Sequence, residues 1–255
     1  MELAELENEL ELSGVAGYHA RQIYRWIYRH GIEDFERMTN LSHDLRHQLT
    51  TTTKISTPKI SRKAQSSDGT VKFLLKLKDG HQIESVFIPD TPAQTLCIST
   101  QVGCAMACTF CLTGNMGLIR NLSAGEISGQ VRALAKNLNL LNQRFNIVLM
   151  GMGEPLHNYD ATMKALRLLT DKAGIAISPR RITLSTVGLV PALKRLATEP
   201  LIPNLAVSLH ATSEVSRARL VPVNRKYSLA EVLDVCAKFP LKHRSRITFE
   251  YVLLK

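Results

Sequence analysis

Apolar residues in the first 57 positions recur at helical spacing, which predicts a small N-terminal helical module of three short helices. The second helix is YHARQIYRWIYRHG, residues 18–31, and Gly31 suits its C-terminal cap. One face of this helix carries apolar residues that we expect in a core: Ile23, Trp26 and Ile27. The other face interleaves cations with an aromatic ring: Arg21, Arg25, Tyr28 and Arg29. Such a face can bind RNA phosphates and unpaired bases, although a solvated basic face explains it equally well.

Residues 58–92 change to the alternating pattern of β-structure. After a polar stretch, VKFLLKLKDGHQIESVFIPD, residues 71–90, predicts two strands of a hairpin around a turn at Asp79 and Gly80. Glu84 lies inside the second strand. A single carboxylate on a strand usually faces solvent, so the pattern alone favours that interpretation of Glu84 over a catalytic role.

From residue 93 to residue 255 strands and helices alternate, which predicts an α/β domain. The β-rich runs are TLCIST, NIVLMG, RITLST, NLAVSLHA and RITFEYVLL. Between them, Ser123 with Glu126 and Ser228 with Glu231 form capping boxes at the starts of helices, and Pro191 suits a first helical turn. Strands separated by helices imply a parallel sheet, either barrel-like or doubly wound.

The composition of the chain limits the partners and the cellular compartment that we expect for this protein. The chain has 255 residues with 32 Lys and Arg against 22 Asp and Glu, a net charge of +10 that suits a polyanionic partner such as RNA. A basic soluble surface explains the charge almost as well. No signal peptide or membrane-spanning apolar run is found, so we expect a cytosolic protein with no membrane association. Five cysteines, an odd number in a reducing compartment, argue against a disulfide framework.

Three of the five cysteines crowd into CAMACTFC, residues 104–111. Thiolates this close bind a metal, form a disulfide or are buried as small apolar groups. A structural zinc site needs four ligands, which Cys97 could complete, whereas an iron-sulfur cluster held by three cysteines keeps one iron open for chemistry. We favour the cluster. Cys236 lies in the apolar run LDVCAKF and is predicted to be a buried helix cysteine.

Other candidate residues follow the C-terminal ends of the predicted strands, where active sites of such barrels collect. GMGEP, residues 151–155, offers backbone amides at Gly153 and a carboxylate at Glu154 that could accept from an ammonium group. Ser185, Ser208 and His210 could donate to a ribose or a carboxylate. Each of these residues taken singly is more often an ordinary polar group at a strand end.

Together these segments resemble radical S-adenosylmethionine (SAM) enzymes, and more closely the RlmN and Cfr family of RNA adenine methyltransferases. The likeness runs nearly end to end. It is carried by YHARQIYRWIY, MTNLS, IESVFIPD, CISTQVGCAMACTFCLTGNMGLIRNLSAGEI, GMGEPLHNY, RRITLSTVGLVP and LAVSLHA.

The resemblance implies a partial (β/α)6 radical SAM barrel with five of the expected strands. Residues 1–57 would be a helical accessory domain and a candidate RNA-binding module, residues 58–92 a β-hairpin extension, and residues 93–255 the radical SAM domain. A [4Fe-4S] cluster would be held by Cys104, Cys108 and Cys111, and SAM would chelate its open iron. The remaining SAM contacts would be Gly153, Glu154, Ser185, Ser208, Leu209 and His210.

The resemblance also implies the chemistry. Adenine carbons are electron-poor, so the family uses a 5′-deoxyadenosyl radical to activate a methyl group carried on a cysteine near the C-terminus. Glu84 would be the base and Cys97 the thiol that closes a disulfide as the RNA adduct collapses. The methyl-carrying cysteine should lie beyond residue 255, because Cys236 is in the wrong segment. We therefore expect the chain, which stops at YVLLK, to be C-terminally incomplete and inactive by itself.

The implied function is methylation of adenosine at C2 in 23S rRNA and tRNA by a monomeric enzyme with a flavodoxin-type electron donor. Three alternatives remain open. The enzyme could methylate C8 of adenine in 23S rRNA, it could be a radical SAM enzyme with a substrate other than RNA, or the chain could be a metal-stabilised RNA-binding module without catalysis.

Overall fold

The computed structural model describes residues 1–89, 93–241 and 245–253. The N-terminal segment forms three helices, as predicted: α1 Leu3–Leu12, α2 Tyr18–Tyr28 and α3 His43–Thr52. They enclose a small core of their own, whose buried residues include Leu10, Ile23, Phe35, Met38 and Leu49. Apolar burial at helical spacing is therefore what holds these short helices together, because helices of this length are unstable alone.

The prediction that Tyr28 lies on the exposed basic face of α2 is wrong. Arg21, Arg25 and Arg29 are exposed, but Tyr28 is 6% exposed and packs into the main core. The guanidinium of Arg132 lies 5.4 Å from the centre of the Tyr28 ring, where it makes a cation–π contact. Tyr28 therefore joins the helical segment to the main core, and its ring is not available for stacking on a base.

Three antiparallel strands follow: β1 Lys59–Gln65, β2 Val71–Lys76 and β3 Gln82–Ile88. The hairpin of β2 and β3 and its turn at Asp79 and Gly80 are confirmed, with Gly80 at a φ of +91°. Strand β1 was not predicted, because six of its seven residues are exposed and it has no alternating apolar signal. The last residues of the predicted extension, 90–92, lie outside the described residues.

Next, β4 Thr95–Cys97 enters the main sheet, and a two-stranded ribbon of β5 Gln101–Gly103 and β6 Leu118–Asn121 brackets the three-cysteine segment. The short helix α4, Leu112–Asn115, lies inside this ribbon. The remaining strands are β7 Asn146–Leu149, β8 Ile182–Thr186, β9 Asn204–Ser208 and β10 Thr248–Glu250. The remaining helices are α5 Ala124–Asn137, α6 Tyr159–Thr170, α7 Val190–Leu196, α8 Glu214–Leu220 and α9 Leu229–Ala237.

The main sheet has eight strands in the order β1-β2-β3-β4-β7-β8-β9-β10, and its last five are parallel, as predicted. Both predicted capping boxes are formed, and Pro191 lies in the first turn of α7. The predicted fifth run is strand only at residues 248–250, and residues 254 and 255 lie outside the described part. Within that part, the helices are all too short or too polar to cross a bilayer.

Strand register divides the parallel sheet into two faces. One face is buried along β4, β7, β8 and β9 and carries the apolar core, which includes Leu96, Ile147, Leu149, Ile182, Leu184, Leu205 and Val207. Each such side chain contributes roughly 1.5–3 kcal/mol by leaving water. The opposite face, which we call the site face, carries smaller and more polar residues: Cys97, Val148, Thr183, Ser185, Ala206, Ser208 and Glu250. The apolar face of the sheet thus packs against the core, and the more polar face lies toward the site.

Candidate active site

The three-cysteine segment is a tight loop at the end of β5. Cys104 and Cys108 are buried, Cys111 is partly exposed, and all are free thiols. The loop is anchored by backbone hydrogen bonds from Cys104 N to Gly117 O at 2.9 Å and from Thr109 N to Leu220 O at 3.0 Å. Its entry requires glycine, since Gly103 has a φ of +77° and a Cβ there would lie 1.9 Å from Gly117 O.

The donor chemistry of this loop fits an iron-sulfur cluster. Cys104 and Cys108 pack with Met106 and Val221 in an apolar patch. Burial raises the pKa of the Cys104 thiol, and it raises the pKa of the Cys108 thiol to about 12. A bound cation would favour the thiolate form of both. In the described part of the chain, no three His, Cys, Asp or Glu side chains converge on one metal position.

GMGEP follows β7 and lies directly against β5. Gly153 has a φ of +102°, and a Cβ there would lie 2.5 Å from the Gln101 Cβ, so only glycine fits. Glu154 is 2% exposed, and burial raises its pKa to about 7. Its carboxylate accepts from Val187 N at 2.9 Å and Leu156 N at 3.0 Å. The expected free carboxylate is therefore already engaged with two backbone amides, and it joins the ends of β7 and β8.

His210, which follows β9, contacts the cysteine loop. His210 has a φ of +61°, and its ring meets that of Phe110 edge-on, with centroids 4.6 Å apart. Burial lowers the pKa of His210, and its Nδ1 is buried without a hydrogen-bond partner in the described part of the chain. Phe110 lies between Cys108 and Cys111. This contact joins the predicted SAM-binding strand to the predicted cluster loop.

Ser185 and Ser208 converge on a carboxylate that the sequence analysis missed. Ser185 Oγ donates to Glu250 Oε2 at 2.6 Å, and Ser208 Oγ donates to the same oxygen at 2.9 Å. The backbone N–H groups of Leu209 and His210 donate to Glu250 O at 3.0 and 3.1 Å. The signal for Glu250 was present in the sequence, as the one charge inside the apolar run ITFEYVLL.

Glu84 and Cys97 lie on the same face of the sheet. Val86 pairs with Cys97 across β3 and β4, which makes Glu84 a diagonal neighbour of Cys97 at a Cα distance of roughly 7–8 Å. Glu84 forms an ion pair with Lys72 Nζ at 3.0 Å and is about half exposed. Burial raises the pKa of the Cys97 thiol to about 11. Cys236, by contrast, is buried on α9, as predicted.

Arg217 was also missed, because the segment SRARL reads as an exposed helix. Its side chain is fully buried. It donates to Val187 O at 2.6 Å, Ser208 O at 3.2 Å, Leu209 O at 3.1 Å and Asn224 Oδ1 at 2.6 Å. Arg217 thereby ties the ends of β8 and β9 to α8, which packs against the cysteine loop through Val221.

Comparisons with known proteins agree with this arrangement. Residues 98–255 match the Radical SAM superfamily, and residues 1–55 match the ribosomal RNA large subunit methyltransferase N-terminal domain. The Dual-specificity RNA methyltransferase RlmN of Syntrophobacter fumaroxidans is 48% identical over 252 residues, which is 99% of this chain and 73% of the relative. The protein of the same name from Geobacter sulfurreducens is 49% identical over 254 residues, or 100% of this chain and 69% of the relative.

A solved structure shares the fold. The crystal structure of a radical SAM methyltransferase from Sphaerobacter thermophilus matches this chain with a TM-score of 0.93 and 46% sequence identity. The match covers 99% of this chain and 75% of the Sphaerobacter chain. The chain is therefore a member of the radical SAM superfamily and, within it, of the RlmN family of RNA methyltransferases.

Proposed function

We propose that this protein methylates adenosine at C2 in 23S rRNA and tRNA. The observation that carries the proposal is the site face of the sheet, where Cys97 and Glu84 lie on the same side as Ser185 and Ser208. A base, a thiol and the predicted SAM contacts are thus presented to one bound nucleotide. In this proposal residues 1–57, 58–92 and 93–255 keep the roles of accessory domain, extension and radical SAM domain.

Cys104, Cys108 and Cys111 would hold a [4Fe-4S] cluster, and the segments around Gly153, Glu154, Ser185, Ser208, Leu209 and His210 would hold SAM. When bound, the cluster supplies the electron that starts radical chemistry on SAM. The protein's contribution is to position the segments that would hold the cluster and SAM. The Phe110–His210 contact keeps the two binding segments together, and the two backbone hydrogen bonds to Glu154 fix the GMGEP turn.

Glu84 is the proposed base for the adenine ring. It is accessible, it is held by Lys72, and its backbone N–H lies 3.3 Å from Met152 Sδ in the GMGEP turn. Cys97 is the proposed thiol that releases the product by closing a disulfide. Burial raises the pKa of Cys97, which favours its neutral thiol form. Cys236 is buried on α9 and is not a candidate for the methyl-carrying cysteine.

RNA binding is proposed for the N-terminal module through Arg21, Arg25 and Arg29, which are exposed along α2. These arginines can neutralise phosphates without reading the sequence of the RNA. We also propose that the protein works in the cytosol as a monomer, with a flavodoxin-type electron donor.

The test is nucleoside mass spectrometry of 23S rRNA and tRNA from cells that lack the gene, complemented with the intact wild-type gene or with the same gene carrying Glu84→Gln, Cys97→Ser or the control Cys236→Ser. We expect 2-methyladenosine to return with wild type and Cys236→Ser, and to stay absent with Glu84→Gln and Cys97→Ser. Loss of 8-methyladenosine from the deletion strain would identify C8 as the target. No change in either nucleoside would refute RNA adenine as the substrate.

A further inference from the structure

A buried polar cluster fastens the strand of Glu84 to the GMGEP turn. Its members are Ser85 on β3, Ser99 just after β4 and Gln130 on α5, and each of these side chains is at most 1% exposed. Ser99 Oγ donates to the backbone oxygen of Glu84 at 2.6 Å and accepts from Met152 N at 2.8 Å. One hydroxyl therefore bridges the strand of the proposed base and the turn that is proposed to bind SAM.

Ser99 lies where the backbone pairing of β3 and β4 ends. Val86 pairs with Cys97, and continuing this antiparallel register places Ser99 opposite Glu84. At that point the Ser99 N–H donates to Gln130 Oε1 at 2.8 Å, while the Ser99 hydroxyl reaches Glu84 O. Glu84 is thus held here by a side chain, which a single substitution can remove without altering the backbone.

Gln130 fixes Ser99 in this position. Its side-chain amide accepts from Ser99 N and donates to Ser99 O, both at 2.8 Å, and its Oε1 also accepts from Ser85 Oγ at 2.8 Å. Gly151 leaves the space that the Ser99 hydroxyl needs, because a Cβ at Gly151 would lie 2.7 Å from Ser99 Oγ. A buried polar cluster whose members are hydrogen-bonded to one another is rigid, so the position of the Ser99 hydroxyl is closely defined.

The GMGEP turn is fastened to the same short segment. Met152 O accepts from Thr100 N at 2.8 Å and from Gln101 N at 3.1 Å. Gln101 Oε1 in turn accepts from Glu154 N at 2.8 Å. The segment from residue 99 to residue 101 therefore positions the turn, and within it Ser99 is the residue whose side chain also contacts Glu84.

We propose that Ser99 is a positioning residue for the methylation reaction and that its hydroxyl sets the place of Glu84 relative to the GMGEP turn. This inference rests on the proposed function, in which Glu84 takes a proton from the covalent RNA adduct and Cys97 then releases the product. Proton transfer requires the base to be within hydrogen-bond reach of the proton. Without the Ser99 hydroxyl, the adduct should still form but should persist, because the base is displaced.

Single-turnover reactions measure this effect. Protein made from the intact gene, with its cluster reconstituted and dithionite as the reductant, is mixed with SAM and with 23S rRNA from cells that lack the gene. Denaturing gels count the protein that stays covalently linked to RNA, and nucleoside mass spectrometry counts 2-methyladenosine. The ratio of adduct to product does not depend on how much of the protein is folded, so a general loss of stability leaves this ratio unchanged.

The variants separate positioning from packing. Ser99→Ala removes the bridging hydroxyl, and Gln130→Met keeps that hydroxyl but removes the amide that holds it. The matched control is Ser85→Ala, because Ser85 is a buried serine of the same cluster whose hydroxyl donates to Gln130. Ser99→Ala is also combined with Glu84→Gln, a background in which the proposed base is already absent.

We expect Ser99→Ala to raise the ratio of adduct to product at least about tenfold, since a misplacement of about 1 Å can slow a step by roughly a hundredfold. Gln130→Met should change the ratio in the same direction, and it provides a second test if Ser99→Ala does not fold. Ser85→Ala should keep the wild-type ratio. In the Glu84→Gln background, Ser99→Ala should change the ratio by less than about twofold, because Ser99 acts through Glu84.

Four results would overturn the inference. They are a wild-type ratio in both Ser99→Ala and Gln130→Met, an equal rise in Ser85→Ala, a further tenfold rise when Ser99→Ala is added to Glu84→Gln, and the absence of adduct and product from both Ser99→Ala and Gln130→Met while wild type forms product. If wild-type protein forms neither adduct nor product, the proposed function fails first and this inference fails with it.

Discussion

Substitution of Arg217 by methionine tests whether the buried guanidinium holds together the two strand ends that are proposed to bind SAM. Methionine replaces the apolar stem of Arg217 but donates no hydrogen bond. The four acceptors that lose their donor are three backbone carbonyls, of Val187, Ser208 and Leu209, and the side-chain oxygen of Asn224. All four acceptors are neutral.

The expected cost follows from these contacts. A buried acceptor left without a donor costs roughly 1–3 kcal/mol, and removing the buried cation returns part of this because its desolvation penalty disappears. We therefore expect Arg217→Met to lower the free energy of unfolding by about 3–5 kcal/mol. For a chain of this size each kcal/mol lowers the melting temperature by roughly 2–4 °C, so melting should fall by at least about 6 °C. Arg217→Lys keeps the charge without the planar fork and should give an intermediate value.

The assay is urea denaturation of the anaerobic, cluster-loaded protein, followed by circular dichroism. Arg219→Met is the matched control, because Arg219 is exposed on the same helix and should cost less than about 0.5 kcal/mol. If Arg217→Met costs no more than Arg219→Met, the hydrogen bonds of Arg217 do not stabilise the fold and the reasoning is refuted.

Three further outcomes are expected. Gly103→Ala should lower the iron and sulfide bound per chain, because its Cβ would lie 1.9 Å from Gly117 O, whereas Gly80→Ala, with open space around it, should leave both unchanged. Ser123→Ala removes an N-cap of α5 and should cost about 1 kcal/mol in urea denaturation; an unchanged midpoint would contradict the cap. Burial in the folded protein raises the pKa of Cys97 from 9.0 to about 11, so as the pH rises the unfolded protein loses this proton first. The contribution of Cys97 to stability should therefore decline between about pH 9 and pH 11. If the stability of Cys97→Ala has the same pH profile as that of wild type, this linkage is absent.

The features that could be predicted from the sequence were those formed by residues close together in the chain. The three cysteines lie within eight residues, and the two capping boxes each span four, so neighbouring residues interact without help from the rest of the chain. The turn at Asp79 and Gly80 is of the same kind, since it depends on a positive φ that glycine adopts freely. For the capping boxes and the turn, the sequence pattern and the structure agree because the governing contact is between residues close in sequence.

The errors arose where a distant partner decides the outcome. Strand β1 is polar and reads as a loop, but the unpaired edge of β2 supplies the hydrogen bonds that make it a strand. Tyr28 is buried in the main core, where Arg132, 104 positions later in the chain, contacts its ring. From sequence alone, neither the neighbouring strand nor the covering side chain can be known.

By itself, the sequence of this protein determined its family, its alternation of strands and helices, and the three cysteines proposed to hold the cluster, because those features depend on spacing and on residue type. Only the tertiary structure decided which polar groups of the site donate hydrogen bonds and which accept them. Ser185 and Ser208 could have been donors or acceptors, and the approach of Glu250 from β10 commits both hydroxyl protons to one carboxylate. The physical reason is that a hydroxyl takes its role from the partner it meets, and that partner is set by the register of strands far apart in the chain.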